Sequence, residues 1–418
     1  MNLGDEAHIL NIKTSYTPTM TIIEDIIPRK IIDSRGNPTI EIEVFTISGG
    51  YGRFGAPSGA STGKHEVVAF PKGGVDASIE FLEEKVIPEL IGHDAMDQRF
   101  IDTMIKEIDG TPNLSNIGGN AAVALSIANA KAAANAVGIP LYAYVGGMLA
   151  KEIPKPLGNV LGGGKHAVGG TTIQEFLVAT MSDDVVKNVI TNAKVHKRVG
   201  KKLKEKIGGA IGVGDERAWV AAIGDKEAIE IVHSAAEEIS SEEDVEIKIG
   251  IDFAASSYYK NGKYIYRDME LSPEEQIEFV ESLVDEYGVF ILEDPLHEED
   301  FEGFAELTKR IGMKALVVGD DLFVTNVERI MRGIEMGAAN AVLIKPNQIG
   351  TLSDTYDAVK LARENGYSTI ISHRSGETED PAIAHLGVAF GCEFIKTGTI
   401  GGERTAKLNE LIRIQEVL

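Results

Sequence analysis

Two rhythms of apolar and polar positions divide this chain. From Ile22 the rhythm is short. IEIEVFTI, residues 40–47, alternates with a period of two, as a strand with one buried face does. A Gly49-Gly50 turn then leads into YGRFGA, which predicts a hairpin. Helical spacing follows over residues 76–90 and 95–108, and again in an Ala-rich run that starts at Asn120. The most apolar long stretch, residues 121–141, is interrupted by Asn129, Lys131 and Asn135. It reads as a buried helix and not as a membrane span. Residues 21–150 are therefore expected to form an α+β domain. Residues 1–20 are a polar extension, and Pro154 and Pro156 after Lys151 mark the boundary to the rest.

Residues 151–418 keep a different time. Short apolar runs recur between helical segments: IKIGID, VFILED, ALVVGDD, AVLIKPN, STIISHR and CEFIKT. Near-continuous Val, Ile and Leu mean burial on both faces, as in a parallel sheet. The runs end at Asp252, Glu293, Asp320, Lys345, His373 and Lys396, spaced 23 to 41 residues apart. That is the length one strand plus one helix consumes. A charged or polar group at the C-terminal end of each strand is the signature of a (β/α)8-like TIM barrel with its site at that end. The expected class is α/β: an N-terminal α+β capping domain, then a barrel.

Charge narrows the function. Net charge is −23, which would repel nucleic-acid phosphates and excludes nucleic acid as a partner. An acidic protein that handles an anionic substrate must cancel charge locally, with metal ions or clustered Lys and Arg. The one cysteine, Cys392, allows no intrachain disulfide and reads as a small core residue. The N-terminal MNLGDEAHILNIKTSYTPTM has no basic start followed by an apolar core, so neither a signal peptide nor a membrane partner is expected, and the expected compartment is cytoplasmic.

Three carboxylates from successive strands, Asp252, Glu293 and Asp320, suit a hard cation such as Mg²⁺, with Asp294 and Asp321 directly behind. Lys345 and Lys396 follow in the same ring. A lysine beside a cation and a second lysine has its ammonium form disfavoured and can act as a base. Metal-holding carboxylates plus a lysine base point to abstraction of the proton next to a carboxylate, with the cation offsetting the enolate charge. SHRSGETED, residues 372–380, adds His373, Arg374 and Ser375, three donors for an anion just after a buried strand. Two glycine motifs carry no such chemistry. GYGRFG fits G-x-G-x-x-G but leads into Ala-Pro-Ser and no helix, and GGGKHAVGG lacks the spacing and the Ser/Thr of a P-loop.

An ordered series of motifs resembles the enolase family from Ile23 onward. It runs DSRGNPT, PSGASTG, GGKHA, QEF, GDE, LEDP, GDDLFVTN, NQIGT, SHRSGETED and IKTG. A lysine base with magnesium is the general pattern of sites in that superfamily. The resemblance implies a carbon-oxygen hydro-lyase that dehydrates 2-phosphoglycerate to phosphoenolpyruvate and back, a step of glycolysis and gluconeogenesis. It implies two Mg²⁺ per site. Asp252, Glu293 and Asp320 would hold the first, and Ser61 would join the second when substrate arrives. It makes Lys345 the base at C2 and Glu216 the acid at the C3 hydroxyl, with Glu175 beside it. Lys396 would pair with the substrate carboxylate, His166 would close over substrate, His373 would line the site, and Arg374 and Ser375 would bind phosphate. It also implies a homodimer or a dimer-based homo-oligomer.

The sequence departs from the family in its loops. After GDE the family's usual Gly-Gly-Phe-Ala-Pro is Arg217-Ala218-Trp219-Val220-Ala221, and the Asn-Gly-Gly before the loop histidine is Gly162-Gly163-Gly164. Two other readings thus stand beside an enolase: a paralogue using the same proton abstraction on another (phospho)carboxylate, and a non-catalytic protein on the same fold. The intact ring of Asp252, Glu293, Asp320, Lys345 and Lys396 weighs against the last, because unused buried charges are costly.

Overall fold

The computed structural model describes residues 19–59, 63–167, 169–208 and 211–418. Three antiparallel strands open the chain: β1 (Ile23–Ile32), β2 (Pro38–Thr46) and β3 (Tyr51–Gly55). The period-two pattern does what it predicts. Ile40, Ile42 and Val44 point into the core, and Phe45 pairs with Tyr51 across the hairpin. The Ala-rich run forms the helix Gly119–Ala136, which packs on this sheet. Alanines let the helix approach closely, and Gly52 completes the fit: a Cβ there would sit 2.0 Å from the Ala128 carbonyl oxygen. The segment expected to be one helix over 76–90 is broken. It runs as Gly74–Phe81, a π turn over Leu82–Val86, and Ile87–Leu90. The next helix, Gln98–Asp109, starts later than the periodicity suggests because Asp97 caps it, accepting from the Phe100 amide.

Eight strands then close into a barrel: β4 (Lys155–Gly162), β5 (Glu175–Thr180), β6 (Ile247–Asp252), β7 (Val289–Glu293), β8 (Leu316–Gly319), β9 (Ala341–Ile344), β10 (Ser368–Ser372) and β11 (Phe394–Lys396). β11 pairs back onto β4 and completes the ring. The six expected runs are β6 to β11. The other two, β4 and β5, form an antiparallel pair, and β5 is also antiparallel to β6. This departs from an all-parallel barrel. Its cause is the short β4–β5 connection, which among the described residues holds one 3-10 turn, Gly164–His166, and no crossover helix. Leu157, Leu177, Ile291, Val318, Leu343, Ile370 and Phe394 fill the lumen, so the barrel is packed and not a pore.

The first domain sits against one end of this barrel. Ser58 and Gly376 exchange backbone hydrogen bonds at 2.7 and 2.9 Å. Asn347 donates to Asn120 at 3.0 Å and to the Pro57 carbonyl at 3.1 Å. Ser126 Oγ and Asp102 accept from the amides of Leu352 and Ser353, both at 2.9 Å. Among the described residues no helix is long and apolar enough to cross a membrane.

Candidate active site

The capped end of the barrel collects the strand termini. Asp252, Glu293 and Lys396 are the last residues of β6, β7 and β11, and Asp320, Lys345 and His373 directly follow β8, β9 and β10. Glu175 is the first residue of β5. Because β5 runs backwards, its start lies at the same end, and Glu175 pairs in register with Asp252, which pairs with Glu293. Glu175, Glu216, Asp252, Glu293, Asp320, His373, Arg374, Ser375 and Lys396 are all buried.

Two lysines face this ring of acids. Lys396 Nζ lies 2.6 Å from Glu293, 3.0 Å from Asp252 and 3.1 Å from Glu175. Burial opposes its charge, but Asp252, Glu175 and Glu293 hold the ammonium well above the ordinary lysine range. Lys345 donates to Asp320, which also accepts from Gln348 at 3.1 Å. Two opposing influences act on the Lys345 pKa. Burial pulls it down, but the adjacent Asp320 carboxylate outweighs burial and raises it.

The acids still outnumber the cations. Burial, then Asp252, pushes Glu293 well above the carboxylate range, and burial, then Asp321 and Asp320, does the same to Asp294. Asp321 is pushed to about 7 by burial and by Asp320. Glu293 Oε1 is buried without a hydrogen-bond partner among the described residues. Oxygen ligands, excess negative charge and one orphaned carboxylate oxygen fit a hard divalent cation. Among the described residues two groups bring their ligand atoms within 4.8 Å of one another: Asp294, Asp320 and Asp321, and His166, Glu175 and Glu216. The trio Asp252, Glu293 and Asp320 is drawn toward the lysine ammoniums instead. Asp294 also shapes the backbone. Its carboxylate accepts from the amides of Asp320 and Asp321 at 2.9 and 2.7 Å and so sets the turn after β8.

Glu216 lines the same cavity as the lysines. Its carboxylate accepts from Asn159 at 3.2 Å and lies 3.3 Å from His373 Nε2 and 3.9 Å from His166 Nδ1. His166 is closer to Glu175, at 3.0 Å. Burial opposes ionisation of Glu216, but His373, His166 and Arg404 together hold its carboxyl below the usual range. His373 goes the other way, down to about 3, through burial and the guanidinium of Arg404, so the imidazole is neutral. Arg404 Nη1 lies 2.8 Å from His373 Nδ1. A guanidinium only donates, so Nδ1 accepts and Nε2 carries the proton toward Glu216. The same Arg404 donates to the carbonyls of Arg374 and Ser375, both at 2.7 Å.

Arg374 and Ser375 lie beside His373 on the rim. Arg374 donates to both carboxylate oxygens of Glu66, at 3.0 and 3.1 Å, and to Asn347 at 2.9 Å. The structure thus gathers Glu175, Glu216, His166, His373, Arg374, Ser375, Asp252, Asp320, Lys345 and Lys396 around one cavity, with Glu293 bonded to Lys396 at its wall. Ser61 lies outside the described residues. The sequence patterns assign no role to Asn159, Gln174, Glu66, Gln348 and Arg404. Each makes its contact with a residue distant in sequence, Gln174 by donating to Asp252 at 3.2 Å. Gln348 and Gln174 carry a signal, in NQIGT and QEF, whereas Arg404 in ERTAKL does not.

Comparison with known proteins covers most of the chain. Residues 150–418 match the family model described as "Enolase, C-terminal TIM barrel domain", and residues 23–145 match "Enolase, N-terminal domain". The enolase of Thermoplasma acidophilum is 54% identical over 397 residues, covering 95% of this chain and 98% of that protein. The enolase of Methanothermobacter thermautotrophicus is 54% identical over 403 residues, 95% of this chain and 97% of its own. That of Picrophilus torridus is 51% identical over 397 residues, 95% and 99%.

Proposed function

The chain belongs to the enolase family, and from that premise we propose that it interconverts 2-phosphoglycerate and phosphoenolpyruvate with the side chains gathered at the barrel end. The observation that carries this is that a lysine set, Lys345 and Lys396, and a separate carboxylate, Glu216, line one cavity. An elimination needs both: a base at C2 and an acid at C3.

In this reading Asp252, Glu293 and Asp320 would hold one magnesium ion, and Ser61 would join a second when substrate arrives. Bound there, magnesium offsets the charge that develops on the substrate carboxylate as its neighbouring proton leaves. With an ion there, Asp320 would be shared between the ion and Lys345, which would weaken its hold on the ammonium and favour the neutral lysine that can accept a proton. Lys345 takes the proton from C2. Lys396 pairs with the substrate carboxylate. Arg374 and Ser375 grip the phosphate, and the planar fork of Arg374 suits its oxygens. The C2–C3 double bond forms as the C3–O bond breaks, and Glu216 supplies the proton with which hydroxide leaves as water. Anionic substrate beside Glu216 raises its pKa and favours that protonated form, while the ionised form takes the proton from water in the reverse direction. His373, neutral, lies 3.3 Å from Glu216, and His166 and Glu175 line the same cavity. The working form is cytoplasmic, a homodimer or an assembly of dimers. No observation favours a different acid substrate or a non-catalytic role.

The test is phosphoenolpyruvate formation from 2-phosphoglycerate, followed by ultraviolet absorbance with Mg²⁺ raised from zero. Mg²⁺-dependent turnover is expected. Folded protein without turnover at any Mg²⁺ concentration overturns the reading.

A further inference from the structure

The loop that carries Glu216 is fastened to the flank of the barrel by its neighbours in sequence. Arg217 takes a left-handed backbone conformation, with φ at 63°. A side-chain-bearing residue stays there only when its surroundings hold it. The segment is held by its own turn, where the Arg217 amide donates to the Gly214 carbonyl at 3.0 Å, by pairing of Trp219 with Leu161 of β4, and by the helix Val185–Ile207. His196 Nε2 lies 2.9 Å from the Arg217 carbonyl. A carbonyl can only accept, so Nε2 carries the proton. Trp219 returns the bond, its indole N–H donating to the His196 carbonyl at 2.8 Å. The two rings stack with centroids 5.1 Å apart.

The next residue on that helix face is Gly200, and it is shaped for the indole: a Cβ there would come within 2.5 Å of the Trp219 ring. Lys204, one turn further, places its ammonium 5.8 Å from the same ring. His196, Gly200 and Lys204 are four residues apart and share one face. From the other side Arg35 pairs with Asp215 at 3.3 Å. Only Arg217 and the buried Ala218 separate Trp219 from Glu216. The lysines, in contrast, sit at strand ends that do not depend on this loop.

We propose that Trp219, seated on His196 and Gly200, is a positioning residue for Glu216 and sets the geometry of proton transfer to the leaving hydroxyl. The inference rests on the functional reading above. It makes the two halves of the reaction separable. Lys345 removes the C2 proton whether or not Glu216 is in place, whereas breaking the C3–O bond needs Glu216 aligned.

The test compares Trp219→Ala and Gly200→Ala with the native protein. The first removes the indole, and the second pushes it off its seat without touching it. Phosphoenolpyruvate formation is expected to fall about 100-fold in both, the loss that a displacement near 1 Å produces. Exchange of the C2 proton of 2-phosphoglycerate with solvent should stay within about threefold of native, as should KM, because ground-state binding is untouched. Trp219→Phe keeps the ring and the stack and should recover most of the lost rate. Thermal unfolding checks that each variant is folded. Equal loss of exchange and dehydration, or no loss of either in folded Trp219→Ala, overturns the proposal. Should native protein fail to turn over 2-phosphoglycerate, the functional reading falls on its own. Amide hydrogen exchange of residues 214–220 in substrate-free protein then decides the anchor: faster exchange in Trp219→Ala supports it, and unchanged protection overturns it.

Discussion

The Lys396 ammonium lies 2.6 Å from the Glu293 carboxylate, and both side chains are buried. The same ammonium reaches Asp252 and Glu175, so one cation joins the ends of three other strands. Removing one partner of a buried ion pair leaves an uncompensated charge, at a cost of about 3–5 kcal/mol. Lys396→Met is therefore expected to lower stability by that order in metal-free buffer, with Mg²⁺ restoring part of it and no phosphoenolpyruvate formed. Urea unfolding with and without Mg²⁺ measures this. Unchanged stability without metal would show that the pairs contribute little.

Arg374 is held as a fork by Glu66 and Asn347. A lysine cannot reproduce two parallel donors. Charged hydrogen bonds are worth about 1.5–3 kcal/mol each, so Arg374→Lys should raise KM for 2-phosphoglycerate roughly 10- to 100-fold. Steady-state kinetics reads this directly, and the loss should appear in KM more than in kcat.

Arg217 occupies a position with φ of 63°. Left-handed backbone costs a non-glycine residue roughly 1–2 kcal/mol, part of which the looser unfolded chain of a glycine variant takes back. Arg217→Gly should therefore stabilise the protein by roughly 0.5 kcal/mol, seen as a small rise in thermal midpoint. A clear fall would mean that the arginine side chain contributes more than its backbone costs.

Far from the site, Glu410 lies 3.0 Å from His385 and 2.6 Å from Arg413. The hydrogen bond from His385, then that from Arg413, outweighs burial and holds Glu410 at about 2, below its usual 4.5. A carboxylate depressed in the folded state stabilises above its unfolded pKa, and that gain is lost as pH falls from about 4.5 through about 2. Glu410→Gln should be less stable than native by about 1 kcal/mol at pH 7, and the gap should close as pH falls through that window. Urea midpoints between pH 2 and 7 measure it. A gap independent of pH would assign the loss to packing.

Much of the site is legible in the sequence because barrel strands announce their ends. An apolar run that stops at Asp252, Glu293 or Lys396 places that charge at the rim, and periodicity alone finds it. Glu175 breaks the rule. Its strand runs backwards, so the residue that matters is the first of the run and not the last, and only the QEF motif exposes it. Arg404 and Glu66 leave no local trace. Their partners, His373 and Arg374, lie about 30 and about 300 residues away, and only folding brings them together. Asp320 has the place of a metal ligand in the sequence, and it is also the counter-ion of Lys345, a pairing that only the fold brings out.

The measurement closest to the central claim is exchange of the C2 proton of 2-phosphoglycerate in deuterated buffer with Mg²⁺ present, in Lys345→Ala and Glu216→Gln side by side. The account predicts that Glu216→Gln exchanges the proton but makes little phosphoenolpyruvate, whereas Lys345→Ala does neither. Exchange at the native rate in folded Lys345→Ala would contradict it, because the base would then be another group.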